Sequence, residues 1–185
     1  TVGDNLVTSQ QFTIAVSIGN ALPTLNGINT VTIDEDAPLQ TVQLSNITAG
    51  GDDDQPLRVT ATSSNTELVP HPSVSYTSPQ TSGNISFQGV ADGFGSSVIT
   101  VTVTDGGPDK NLDTAADNAT FQQSFTVNIN SVNDKPVSGN ATFEPPENTL
   151  INVAAENGLL ALSSDVEDDN LTFTIVTRTA YGLLT

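Results

Sequence analysis

Acidic side chains fall in short runs along this chain: Asp34-Glu35-Asp36, Asp52-Asp53-Asp54, Asp105 with Asp109, Asn133-Asp134, and Asp165 with Glu167, Asp168 and Asp169. Runs of this kind can collect a hard cation. Ca²⁺ takes about six to eight oxygens from carboxylates, carbonyls and amides at about 2.3–2.6 Å. The same residues also serve turns, because Asp and Asn bond their own backbone and tolerate unusual dihedrals. An EF-hand does not fit. Asp165, Glu167 and Asp169 match loop positions one, three and five, but Asn170 stands where the sharp-turn glycine belongs and Val176 where the bidentate glutamate belongs. Glycine-rich nonapeptide calcium repeats are absent as well.

Signals for catalysis are weak. The single histidine, His71, lies between Pro70 and Pro72 and reads as a surface loop residue. No G-x-S-x-G elbow, H-E-x-x-H pair or phosphate-binding loop occurs, and "DGFGSS" (92–97) reads as a turn entering a strand. Carboxylate pairs could serve glycoside hydrolysis, but among 21 acids any pairing arises by chance. Tryptophan, the usual sugar platform, is missing, and Tyr76 and Tyr181 are the only tyrosines. The chain is expected not to be an enzyme.

Composition narrows the partners. The 185 residues carry 21 acidic against 4 basic side chains, a formal charge of −17. Such a surface opposes nucleic acid and anionic membranes. There is no cysteine, hence no disulfide or thiolate metal site. No apolar run approaches the roughly 18 residues of a membrane helix. With no methionine and no signal peptide, the chain is expected to be a piece of a longer precursor.

The elements that would position the acids are strands. β-branched residues alternate with polar ones between clusters of Gly, Pro, Asn, Asp and Ser, and no sustained 3.6-residue period appears. Strands are expected at Val31–Ile33, Thr41–Leu44, Leu57–Thr62, Val74–Tyr76, Gly83–Gln88, Ser97–Val103 and Thr120–Asn130, with a long hairpin loop over 105–118. An internal repeat organises them. "QFTIAVSIGNALPT" (11–24) matches "SFTVNINSVNDKPV" (124–137) without a gap, each pair differing by 113 in residue number. "DDDQPLRVTATS" (52–63) matches "EDDNLTFTIVTR" (167–178) at nearly that offset. A period this long suits tandem sandwiches, not solenoid units. The fold class is therefore all-β: tandem Greek-key β-sandwich domains, one complete and two partial. Residues 1–22 hold the last strand of a preceding repeat, 23–134 the complete domain, and 135–185 the first strands of a following one, including Leu171–Thr177.

"TIDEDAP", "VITVTVTDGG", "FTVNINSVNDKPV" and "LSSDVEDDNLTFTIVTRTAYGLLT" resemble the cadherin-like and immunoglobulin-like tandem repeats of large bacterial surface proteins. The resemblance implies a secreted or cell-surface array of rod-like domains, often stiffened by Ca²⁺ at the junctions, acting in adhesion or as spacers. It implies ligands at the base of the first strand, in the junction and in an early loop of the following domain. Carried over, these are Glu35 with its neighbour Asp36 and Asp105 at the end of the complete domain, Asn133 and Asp134 at the junction, and Asp165, Glu167 and Asp168 beyond it. The earlier junction carries Ala21 and Leu22 where the later one has Asp134 and Lys135, so calcium is expected to prefer the later.

The expected function is a Ca²⁺-stabilised structural segment of an extracellular, adhesin-type protein, with neighbouring repeats of the same polypeptide as its first partners. Two alternatives remain open. One is a β-sandwich module that binds surface polysaccharide or protein. The other is a filament subunit whose orphan strand at 11–18 completes another copy. Neither nucleic acid nor membrane insertion is expected.

Overall fold

The computed structural model describes residues 9–14, 19–51, 54–144 and 146–177. Seven strands make one sandwich: β1 (Val31–Asp34), β2 (Gln40–Ser45), β3 (Leu57–Ser63), β4 (Ser73–Ser75), β5 (Ser82–Phe87), β6 (Gly95–Asp105) and β7 (Thr120–Asn130). One sheet has the order β1-β7-β6-β3 and the other β2-β5-β4. The chain crosses between the layers at β1–β2, β2–β3, β3–β4 and β5–β6, while β4–β5 and β6–β7 are hairpins within a sheet, a Greek-key arrangement that leaves each sheet one face for the core. Period-2 alternation selects that face. Ile99, Val101 and Val103 on β6 and Val127 and Ile129 on β7 are buried, while Thr100, Thr102 and Thr104 between them point outward. From the facing sheet come Leu44, Ile85 and Phe87, and the Phe87 and Phe125 rings meet across the layers at 6.4 Å between centroids, tilted by 47°. Each such side chain contributes roughly 1.5–3 kcal/mol by leaving water.

Two features of the register decide where the acids go. β1 runs parallel to β7, with Asp34 opposite Asn130, whereas β6 runs antiparallel to it, with Gly95 opposite Ile129. The C-terminal end of β6, at Asp105, therefore lies at the other end of the sandwich from Asp34, about 33 Å along an 11-residue strand.

Past β7 the chain makes a two-residue strand β8 (Val137–Ser138), two short 3₁₀ turns, and β9 (Ser163–Ser164), which pairs antiparallel with β8. The strand expected at Leu171–Thr177 is not formed. Phe173 and Ile175 stand roughly half exposed, without a ladder to join. Of the expected strand around "QFTIAVSI", residues 9–14 form no ladder and leave Phe12 and Ile14 exposed, and residues 15–18 lie outside the described residues. A strand needs a partner to satisfy its backbone, and neither residues 9–14 nor residues 171–177 find one among the described residues.

Candidate metal centre

The end of the sandwich where β1 and β7 finish gathers acids from four segments. Glu35 follows β1 directly. It is 6% exposed, and its Oε1 accepts a hydrogen bond from the Val132 backbone N–H at 2.6 Å. Asp134, two residues farther along the same extended junction, donates its own N–H to Glu167 Oε2 at 3.1 Å. The junction is thus stitched to the sandwich by one carboxylate and to the following segment by another. Carboxylate oxygens of Glu35, Asp134 and Glu167 lie within 4.8 Å of one another, and so do those of Asp36, Asp92 and Asp134. Asp134 belongs to both groups.

Local backbone chemistry explains the placement. Asp36 and Asp92 hold left-handed conformations, φ 58° and 57°, which short polar side chains adopt more readily than others. Asp36 Oδ1 accepts the Asp92 N–H at 3.2 Å and so joins the turn after β1 to the turn before β6. Asp165 Oδ1 accepts the N–H groups of Glu167 and Asp169, both at 3.2 Å, which curls this loop and presents Glu167 to the junction.

The electrostatics are unfavourable as they stand. Glu35 Oε2, Asp134 Oδ2 and Glu167 Oε1 are buried and accept no hydrogen bond. Desolvation, followed by the charges of Asp92, Asp36, Glu35 and Asp165, raises the Asp134 carboxyl above its ordinary range. Among the described residues the one salt bridge is Lys110 to Asp54, at 3.8 Å and largely exposed, so no ammonium or guanidinium neutralises this cluster. Three orphaned oxygens from three segments are a donor set suited to a hard divalent cation.

Of the residues that the resemblance implied, the fold brings together Glu35, Asp36, Asp134 and Glu167, with Asp165 shaping the loop beside them. Asn133 is exposed and turns its Nδ2 back to the Asp134 carbonyl at 2.7 Å. Asp168 is also exposed, in a left-handed turn with φ 58°. Asp92 was not foreseen. Its "ADG" reads as a plain turn, and only the fold sets that turn beside Asp36.

Asp105 does not belong to this cluster. It is fully buried at the opposite end of the sandwich, because β6 runs against β7. There its Oδ1 accepts from Asn20 Nδ2, Gly107 N and Ala119 N at 2.8–3.0 Å. Asn20 Nδ2 also reaches the Asp117 carbonyl, and Gln55 Nε2 donates to Asn20 Oδ1. The amide donors are thereby committed, and Asp105 Oδ2, Asp117 Oδ1, Asn118 Oδ1 and Gln55 Oε1 remain buried without a donor. Asp52 and Asp53 lie outside the described residues. The earlier junction thus has oxygens of its own, supplied by loops and not by its own residues.

No protein-family model matches the chain, and no curated protein does. Among solved structures it resembles domains 4 and 5 of the S-layer protein SbsC, with 22% identity, a TM-score of 0.35, and coverage of 58% of this chain and 53% of that one. It also resembles the PapD-like domain 7 of human CEP192, with 11% identity, a TM-score of 0.39, and 69% and 99% coverage. A third is the M1 domain of titin, with 11% identity, a TM-score of 0.34, and 60% and 95% coverage. The chain spans about half the length of the SbsC fragment. These are similarities of all-β architecture, and the strand order itself is that of an immunoglobulin-like β-sandwich.

Proposed function

We propose that this chain is a cation-stiffened structural segment of a cell-surface or secreted tandem-repeat protein of the cadherin-like type, with Ca²⁺ as the ion. The observation that carries the reading is the meeting of Glu35, Asp134 and Glu167, one from the sandwich, one from the junction and one from the segment beyond, each with a buried oxygen lacking a donor. Asp36 and Asp92 would add carboxylates. An ion held there would offset the mutual repulsion and tie three segments to one point, which fixes the angle between successive units. Calcium suits the role better than magnesium, because several carboxylates on flexible loops accommodate its larger, less regular shell. The Asp105 end, with Asp117, Asn118 and Gln55, supports a second ion by the same reasoning. A rigid spacer in an adhesin is the use such a rod serves, with neighbouring repeats as its partners.

Thermal melting of the whole chain in millimolar CaCl₂ and then in excess EGTA tests the reading. The expected result is a higher melting temperature with calcium, and an Asp134→Asn variant should lose the part of that rise that the Glu35–Asp134–Glu167 site supplies. Coincident melting curves in the two conditions would reject it.

A further inference from the structure

At the end of the sandwich away from Glu35, four side chains are each anchored by one polar atom while the other stays unpaired. Asp105, fully buried, accepts three N–H groups on Oδ1 and none on Oδ2. Asp117 Oδ2 takes the Asp109 N–H at 3.4 Å, and its Oδ1 is buried without a donor. Asn118 Nδ2 donates to the Leu112 carbonyl at 3.2 Å, which turns its Oδ1 the other way, again buried and unpaired. Gln55, 7% exposed, donates Nε2 to Asn20 Oδ1 at 2.9 Å and leaves Oε1 unpaired. These amide orientations are forced. Asn20 Nδ2 faces two acceptors, Asp105 Oδ1 at 2.9 Å and the Asp117 carbonyl at 3.0 Å, so its Oδ1 must meet the Gln55 Nε2. Turning either amide round would set oxygen against oxygen.

Every unpaired atom in this group is an acceptor. One water donates to two at most, so it leaves two of the four oxygens unmet. Among the described residues the one salt bridge takes Lys110 to Asp54, so no basic group balances Asp105 and Asp117. A cation is drawn to all four oxygens at once. They surround one place. Asn20 touches Asp105, Asp117 and Gln55 together, and the Ala119 N–H, just after Asn118, returns to Asp105. Gly107 lies so close that a Cβ there would stand 2.7 Å from Asp117 Cγ. Two carboxylates balance a divalent charge, and ligands from separate loops suit the larger calcium shell. We propose that Asp105, Asp117, Asn118 and Gln55 hold one Ca²⁺, and that Asn20 is the positioning residue through which this ion fixes the earlier junction to the sandwich. The proposal rests on the second-ion reading above and deepens it. Asn20 belongs to the junction itself, yet it orients Gln55 and bonds Asp105, so filling the site immobilises the segment that enters the sandwich. A junction with Ala21 and Leu22 where the later one has Asp134 and Lys135 thereby still responds to calcium.

The test is a CaCl₂ titration of the ¹⁵N-labelled 185-residue chain by NMR. The side-chain amide signals of Asn20, Gln55 and Asn118 should shift saturably, and equally so in Asp134→Asn, whose change is confined to the other end. Asp117→Asn keeps the side chain's size and the backbone carbonyl that Asn20 uses. It should weaken the response of Gln55 and Asn118 about tenfold, as one ligand charge is lost, and melting in EGTA at or above wild type shows it folded. In wild type, calcium should raise the backbone order of Ala21 and Leu22 in ¹⁵N relaxation. In Asn20→Ala the Gln55 and Asn118 signals should still shift while that ordering is lost, which a merely structural asparagine would not produce. A response confined to this end supports the proposal and rejects the ion at Asp134. Silent amides here beside a responding Asp134 overturn this proposal alone, and silence at both ends removes the cation reading with it. Unchanged affinity in Asp117→Asn, or calcium-induced order at Ala21 and Leu22 that survives Asn20→Ala, overturns it as well.

Discussion

Asp134 sits where the acids crowd most closely, and its titration reports on them. Its carboxyl is raised first by desolvation and then by four neighbouring carboxylates. A raised folded value means the folded state holds this proton more tightly than the unfolded chain. Its favourable contribution is full below the ordinary carboxylate value of about 4 and fades as pH rises through the raised one. In EGTA, wild type should therefore lose stability relative to Asp134→Asn as pH rises above about 4, and calcium should remove that difference. Melting temperatures across the pH series provide the check, and parallel curves for the two proteins in EGTA would contradict it. Glu167→Gln makes a second residue-scale test. An ion at 100 times its dissociation constant stabilises by about 2.7 kcal/mol, roughly 10–20 °C for a domain of this size. The variant should lose most of that increment while melting in EGTA at or above wild type, since one repelling charge is gone.

At the scale of elements, loops carry the chemistry and strands set their positions. The turn after β1, the turn before β6 and the junction after β7 meet only because β1 lies parallel to β7 and β6 antiparallel. The earlier junction docks through backbone contact. Thr24 bridges Thr48, and Gly50 takes φ +87° where a Cβ would stand 1.7 Å from the Leu22 carbonyl oxygen. Gly50→Ala should cost about 1–3 kcal/mol, because neither backbone can yield without losing the dock. Gly27→Ala, with nothing within 4 Å of the added atom, is the matched control and should melt with wild type. Equal melting of the two variants would refute that account. The two acidic ends are separated by the length of β6, so their effects should add. Asp117→Asn and Asp134→Asn should each remove part of the calcium response in isothermal titration, and the double variant nearly all of it.

For the whole molecule, charge segregation matters more than total charge. The core strands are almost free of ionisable groups, with Arg58 the exception within a ladder, while the acids lie at strand ends and in loops. A net −17 concentrated this way repels most strongly at the ends of the sandwich and least along its strands. In EGTA, raising NaCl from about 0.01 M to 0.15 M shortens the screening length from about 30 Å to 8 Å. It should raise the melting temperature, and calcium should flatten that salt dependence. A salt response of equal size in both conditions would argue against ion binding.

Local pattern determined much of this protein. Thr120–Asn130 is a strand because Phe125, Val127 and Ile129 alternate with polar residues, and the chain leaves it just before "SVNDKPV", where Pro136 lacks an N–H for a ladder. The resemblance to tandem surface repeats pointed to Glu35, Asp134 and Glu167, but that their carboxylates meet is a fact of the fold. What the sequence could not decide was which end of the sandwich each loop occupies. Strand direction within a sheet depends on partners far along the chain, and that alone separates Asp105 from Glu35 and brings Asp92 to Asp36. Leu171–Thr177 has the period of a strand yet forms none, because alternation supplies a face but a ladder needs a neighbour.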